Sequence, residues 1–156
     1  MLFQSPPVCP PSHHAGVNHY QVFDYIRSFT PKPVSALEAI MCSLAKSAVD
    51  TRPGLIIVFS ETGNSGRLLA KYRPCVPVLL VTSNVLLARA CASLYAVQPY
   101  VMDAPIQRKE DIQVQVDNAV DYAVLMGLCL PGKEVIVMTS TKVALGEWAG
   151  ACGRIM

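Results

Sequence analysis

The sequence predicts a three-layer α/β domain: a mostly parallel sheet of four to five strands with helices on both faces. Three observations carry this. The run Leu55-Ile56-Ile57-Val58-Phe59 is continuously apolar and mostly β-branched, as suits a strand buried on both faces. A second run, Val76 to Val81, follows a short polar turn and a helical segment, giving a strand–helix–strand unit with a right-handed crossover. Further helical and extended patterns alternate with these from Tyr20 to Met138.

The elements follow in chain order. Residues 1–18 hold Pro6, Pro7, Pro10 and Pro11 with serines and histidines, and read as a disordered, proline-rich leader. His13 and His14 lack a thiol or carboxylate partner at metal-binding spacing. The leader has neither a basic n-region nor an apolar h-region, so it is no secretory signal. Residues 19–156 form the folded domain. Val22, Phe23, Ile26 and Phe29 give a first helix that Pro31 and Pro33 end. Ser35 and Glu38 predict a capping box at the start of a second helix. Its apolar stripe is Leu37, Ile40, Met41, Leu44, Ala45, Ala48 and Val49, and Pro53-Gly54 closes it. After the central unit, Ser83 or Asn84 starts a helix through Val85, Leu86, Ala88 and Ala92. Tyr95 to Val101 predicts a third strand and Arg108 to Leu128 the longest helix. Val135 to Met138 is a fourth strand, and Arg154-Ile155-Met156 the last.

Composition narrows the function. The chain has 156 residues, enough for one domain with a sizeable core. It is 52% hydrophobic and 15% charged, which leaves apolar surface for a partner. A net charge of +2 with no basic run gives no footprint for nucleic acid. Pro77, Asn84 and Arg89 interrupt the most apolar window, Val76 to Val97, so no membrane span is expected. The six cysteines are scattered without Cys-x-x-Cys, which points to reduced thiols in a cytoplasmic protein.

Val58-Phe59-Ser60-Glu61-Thr62-Gly63-Asn64-Ser65-Gly66-Arg67, then Lys71-Tyr72-Arg73-Pro74, then Pro77 to Thr82, resembles the C-terminal α/β domain of pyruvate kinase. That family pattern is an apolar strand, Thr/Ser-x-Thr/Ser-Gly-x-Ser/Thr-Ala-Arg, a short helix ending Lys/Arg-Tyr-Arg-Pro, then proline and a strand ending in threonine. The likeness extends more weakly from Tyr20 to the C-terminus. It departs at Ala96 and Val97, which replace an arginine and a glycine, and in the tail from Thr139. The resemblance implies that the last strand pairs antiparallel at an edge. It also implies a catalytic barrel upstream, which this chain does not contain.

The turn Ser60 to Ser65 is the candidate site. A strand delivers it and a helix leaves it, so free N–H groups and a positive helix end meet there. Ser60, Thr62 and Ser65 supply hydroxyls, and Gly63 permits close backbone approach. These features suit a phosphate; the same hydroxyls also suit plain helix capping. In regulated members of the resembled family this loop holds a phosphate of a sugar-bisphosphate activator, which carries over to Ser60, Thr62, Gly63 and Ser65. Asn64 stands where many of them have a basic residue, and Glu61 adds a negative charge. Gln115 stands where a second basic residue is wanted; Lys142, Trp148 and Arg154 are further candidates, and Trp148 suits core or interface equally well.

No catalytic constellation is visible: the acids do not gather to hold a divalent ion, and there is no P-loop. The resemblance implies the regulatory and assembly domain of pyruvate kinase, which transfers a phosphoryl group from phosphoenolpyruvate to ADP in glycolysis. Magnesium and potassium serve the full enzyme through the barrel; none is expected in this chain. The expected partners are a sugar-phosphate effector and a second copy or a full-length pyruvate kinase. The alternatives are a stand-alone α/β interaction module without glycolytic activity, or a shortened record of a working enzyme.

Overall fold

The computed structural model describes residues 17–102, 109–139 and 152–155. The predicted leader lies outside them except for Val17 and Asn18, as do His13, His14, Lys142 and Trp148. Five helices and five strands follow in the order α1 (His19–Phe29), α2 (Ala36–Thr51), β1 (Leu55–Phe59), α3 (Asn64–Lys71), β2 (Val78–Thr82), α4 (Val85–Cys91), β3 (Val97–Val101), α5 (Lys109–Leu125), β4 (Val135–Met138) and β5 (Cys152–Ile155).

The strands form one sheet in the order β3-β2-β1-β4-β5. The first four are mutually parallel, with Ile57 beside both Leu79 and Val137. β5 pairs antiparallel to β4, with Cys152 opposite Met138, so the antiparallel edge is present and starts two residues before Arg154. Right-handed crossovers explain the layers. The chain steps from β1 to β2 to β3 in one direction, which puts α3 and α4 on one face. It then returns across the sheet to β4, which puts α5 on the other.

Each face has its own core. Ile56, Val58, Val78 and Leu80 pack against α1, α2, α3 and α4 through Phe23, Met41, Ala45 and Leu69. Leu55, Ile57, Phe59, Leu79 and Val81 pack against Val116, Ala119 and Ala123 of α5. Every residue of β1 and β2 is buried, as their unbroken apolar runs require.

Three local expectations are revised. Phe29 and Ile40 lie on apolar stripes by spacing, yet both are exposed. Phe29 instead stacks on Tyr25 at 4.6 Å between ring centroids, and Val85 and Leu86 of α4 also face outward. β2 begins at Val78, because Pro77 ahead of it contributes only its carbonyl, which accepts from the Ile56 N–H. The capping box is half made. Ser35 accepts from the Glu38 N–H at 3.2 Å, but the Glu38 carboxylate turns away to Lys71 Nζ at 2.6 Å and Tyr72 Oη at 3.3 Å.

That turn ties α2 to the end of α3. Tyr72 is 2% exposed, its ring 5.9 Å from that of Phe23. Burial foremost pushes its hydroxyl up to about 12, so it stays protonated and donates to Glu38. The hydrogen bond from Lys71 holds the Glu38 carboxyl below its ordinary value of 4.5. A depressed carboxyl stabilises the fold above the unfolded-state value and loses that contribution as pH falls through the folded one. Urea midpoints measured from pH 7 down to pH 3 will therefore drop less steeply below about 4.5 in Glu38→Gln than in the parent chain. Parallel pH profiles would refute the link.

Candidate functional site

β1 delivers the loop and α3 leaves it. The Ser60 N–H still belongs to the sheet, donating to the Val81 carbonyl at 2.9 Å. The chain then turns, and the Gly63 N–H donates back to Ser60 Oγ at 3.0 Å. Gly63 is the N-cap residue of α3, with φ +74°, and no side chain caps the helix. The first bond of the helical ladder runs from the Arg67 N–H to the Gly63 carbonyl at 3.0 Å. The N–H groups of Asn64, Ser65 and Gly66 precede that bond and have no partner within the helix.

The strand order gives this position meaning. The order of connection across the sheet reverses between the parallel strands β1 and β4, and open α/β sheets bind ligands beyond the carboxyl ends of the strands at that switch point. The loop after Phe59 lies at the carboxyl end of β1, on one side of that point. The chain beyond Thr139 lies outside the described residues until β5.

The five candidate residues divide by exposure. Thr62 and Asn64 are exposed, as are Glu61 and Arg67, whereas Ser60, Gly63 and Ser65 are buried. Ser60 is 7% and Ser65 4% exposed, so neither presents its hydroxyl as openly as Thr62 does. The hydroxyls thus do not share the capping role evenly: Ser60 fixes the turn and Gly63 occupies the cap. Gln115 is half-buried on α5, and Arg154 lies in β5 opposite Ile136.

Gly63 has a second constraint that local sequence does not announce. A Cβ there would lie 2.7 Å from Leu87 Cδ1 and 3.0 Å from Cys91 Sγ, both on α4. The glycine therefore lets α4 pack against the loop from beneath. Burial pushes the Cys91 thiol up, so this sulfur stays protonated and serves as packing. Gly66 plays a similar part against β2, where an added Cβ would meet Leu80 Cδ1 at 3.0 Å.

Two cavities lie elsewhere among the described residues. One, of about 600 Å³, opens between α5 and β4 and mixes Asp117, Asp121 and Glu134 with Lys133. The other, of about 540 Å³, lies between α1 and α2. Among the described residues no three His, Cys, Asp or Glu side chains gather around a common metal position. No helix among them is long and apolar enough to cross a membrane.

Residues 38–147 match the family model described as "Pyruvate kinase, alpha/beta domain". The chain is 28% identical over 133 residues to the pyruvate kinase of Lachancea kluyveri, covering 84% of this chain and 26% of that protein. Pyruvate kinase 2 of Candida glabrata is 33% identical over 133 residues, with the same two coverages. Among solved structures, the Cryptosporidium parvum pyruvate kinase in complex with ADP superposes with a TM-score of 0.79 at 29% identity, over 89% of this chain and 27% of that one. The chain spans about a quarter of the length of the relatives it matches.

Gly63→Ala combines a strained φ with a close approach that forces the Leu87 and Cys91 side chains to shift, and should cost about 2–4 kcal/mol. Gly132 also has positive φ, +81°, but open space around it. Gly132→Ala should then cost only about 1 kcal/mol. Equal losses in urea denaturation would show that α4 does not press on the loop.

Proposed function

The chain belongs to the pyruvate kinase family through its alpha/beta domain, and from that premise we propose that it is a regulatory and assembly domain that binds a phosphorylated effector on the loop Ser60 to Ser65. One observation carries the reading: an uncapped helix start, with three N–H groups outside the ladder, sits at the switch point of a parallel sheet. Backbone N–H groups and the positive helix end favour a phosphate there. The exposed Thr62 hydroxyl and Asn64 amide add donors, and Arg67 adds positive charge one turn on. Ser60 and Ser65 shape the turn from within.

In this proposal the chain alone transfers no phosphoryl group. On this reading phosphoenolpyruvate, ADP, magnesium and potassium are handled by the remainder of a pyruvate kinase and not by this chain. The domain's role is to sense the effector and to contact a second copy or a full-length pyruvate kinase in the cytoplasm. The exposed Tyr25–Phe29 pair and the outward Val85 and Leu86 supply apolar surface for such contacts.

A second reading is favoured by Asn64, which brings no charge to the phosphate, and by Glu61, which brings the wrong one. On it the domain is an interaction module with no sugar-phosphate ligand. Calorimetric titration with fructose 1,6-bisphosphate separates the two. The regulatory reading predicts saturable binding, weakened about tenfold by Thr62→Ala and strengthened about tenfold by Asn64→Lys, since one hydrogen bond to a charged group is worth about 1.5–3 kcal/mol. It also predicts no turnover when the purified chain is given phosphoenolpyruvate and ADP in a coupled assay. Absence of binding in both the parent and Asn64→Lys would favour the module; turnover would overturn the silent domain.

A further inference from the structure

The cavity between α1 and α2 lies on the sheet's α2 side, at the far end of α3 from the Ser60–Ser65 loop. Its floor is aromatic and aliphatic, from Phe23, Tyr72 and Pro33. Its charged lining is entirely basic: Arg27 of α1, Lys32 of the connector and Lys46 of α2, with no aspartate or glutamate. At about 540 Å³ it falls within the usual size of small-molecule sites.

The three cations are not equivalent. Lys46 is already engaged, paired with Asp50 at 3.2 Å and lying over the Tyr20 ring at 4.2 Å. Arg27 and Lys32 form no ion pair among the described residues. The Glu38 carboxylate, which receives the Tyr72 hydroxyl, is also bonded to Lys71, which offsets its charge. The Thr30 hydroxyl donates to the Ile26 carbonyl at 2.8 Å and is also engaged with the Tyr72 hydroxyl, so it stays with the protein. A cavity with an apolar floor and two unpaired cations at its rim selects an anion with an apolar body. A bare phosphate would leave the floor wet, and a neutral hydrophobe would leave the cations without a partner.

We propose that this cavity is a second ligand site, distinct from the loop, for a small aromatic carboxylate. The ring lies against Pro33 and Val34, with only the edges of Phe23 and Tyr72 beneath it, and the carboxylate reaches Arg27 and Lys32. Arginine takes it through its planar fork, and lysine as a point charge. The site does not depend on the loop's effector: it uses neither Thr62 nor Asn64.

The test is a titration of the whole ¹⁵N-labelled chain with 3-phenylpropionate, followed by amide shifts. Its neutral counterpart, 3-phenylpropionamide, serves as control. The proposal predicts saturable shifts at Thr30, Lys32, Ser43 and Ser47. The double variant Arg27→Gln/Lys32→Gln should weaken binding about tenfold or more, and the amide should bind about tenfold more weakly than the acid. Both variant residues are exposed, so the fold should survive the change, and an unchanged spectrum elsewhere verifies it. The proposal is overturned by an absence of saturable shifts, by equal binding of acid and amide, by indifference to the double variant, or by shifts centred on Tyr25 and Phe29.

Discussion

Burial of β1 on both faces is the constraint from which the rest of the structure follows. A strand with no face toward water must be covered twice, and it must pair on both edges to satisfy its backbone. β2 and β4 supply the edges. Ile56 and Val58 demand the layer of α1 to α4, and Leu55, Ile57 and Phe59 demand α5. Each such side chain contributes about 1.5–3 kcal/mol on burial. Because the chain leaves β1 in one direction and returns beside it from the other, this strand also defines the switch point. The site's location is thus a consequence of topology.

The loop shows how one residue answers two demands. Gly63 takes the left-handed conformation that turns the chain into α3, and its missing side chain admits Leu87 and Cys91. The turn is held from within by Ser60 and from beneath by α4, so the helix start is rigid before any ligand arrives. A rigid set of donors loses little entropy on binding, which is the advantage of a preformed anion site. At the other end of α3, Tyr72 is held as firmly by Phe23 and Glu38. A helix about 12 Å long therefore joins the Ser60–Ser65 loop to the basic cavity.

Much of this was legible in the sequence, and the exceptions share a cause. β1 and β4 were found to the residue, because a buried parallel strand is a continuous apolar run bounded by polar or turn residues. The sequence narrows the α4 cap to Ser83 or Asn84, because a cap acts within three residues, and Asn84 fills it on the Leu86 and Leu87 N–H groups. The family likeness was readable because hydroxyls, glycine and the Tyr-Arg-Pro stop fall at fixed offsets. What failed depended on distant partners. Helical spacing placed Phe29 and Ile40 on apolar stripes, but spacing does not say how wide the covering layer is. Glu38 was assigned to its own helix start, yet a lysine 33 positions away captures it. The exposure difference between Thr62 and Ser65, and the packing of α4 under Gly63, likewise come from elements far along the chain. The cavity between α1 and α2 has no local signature, since its floor combines Phe23 with Tyr72.

In the proposed reading a doubly buried strand holds a ready-made phosphate cradle at its end. Native-state amide hydrogen exchange, with and without fructose 1,6-bisphosphate, tests it most directly. The account predicts that Ile56, Ile57 and Val58 exchange only through global unfolding, and that the ligand slows exchange at Asn64, Ser65 and Gly66. Exchange of β1 through local opening, or unchanged rates at those three amides under saturating ligand, would contradict it.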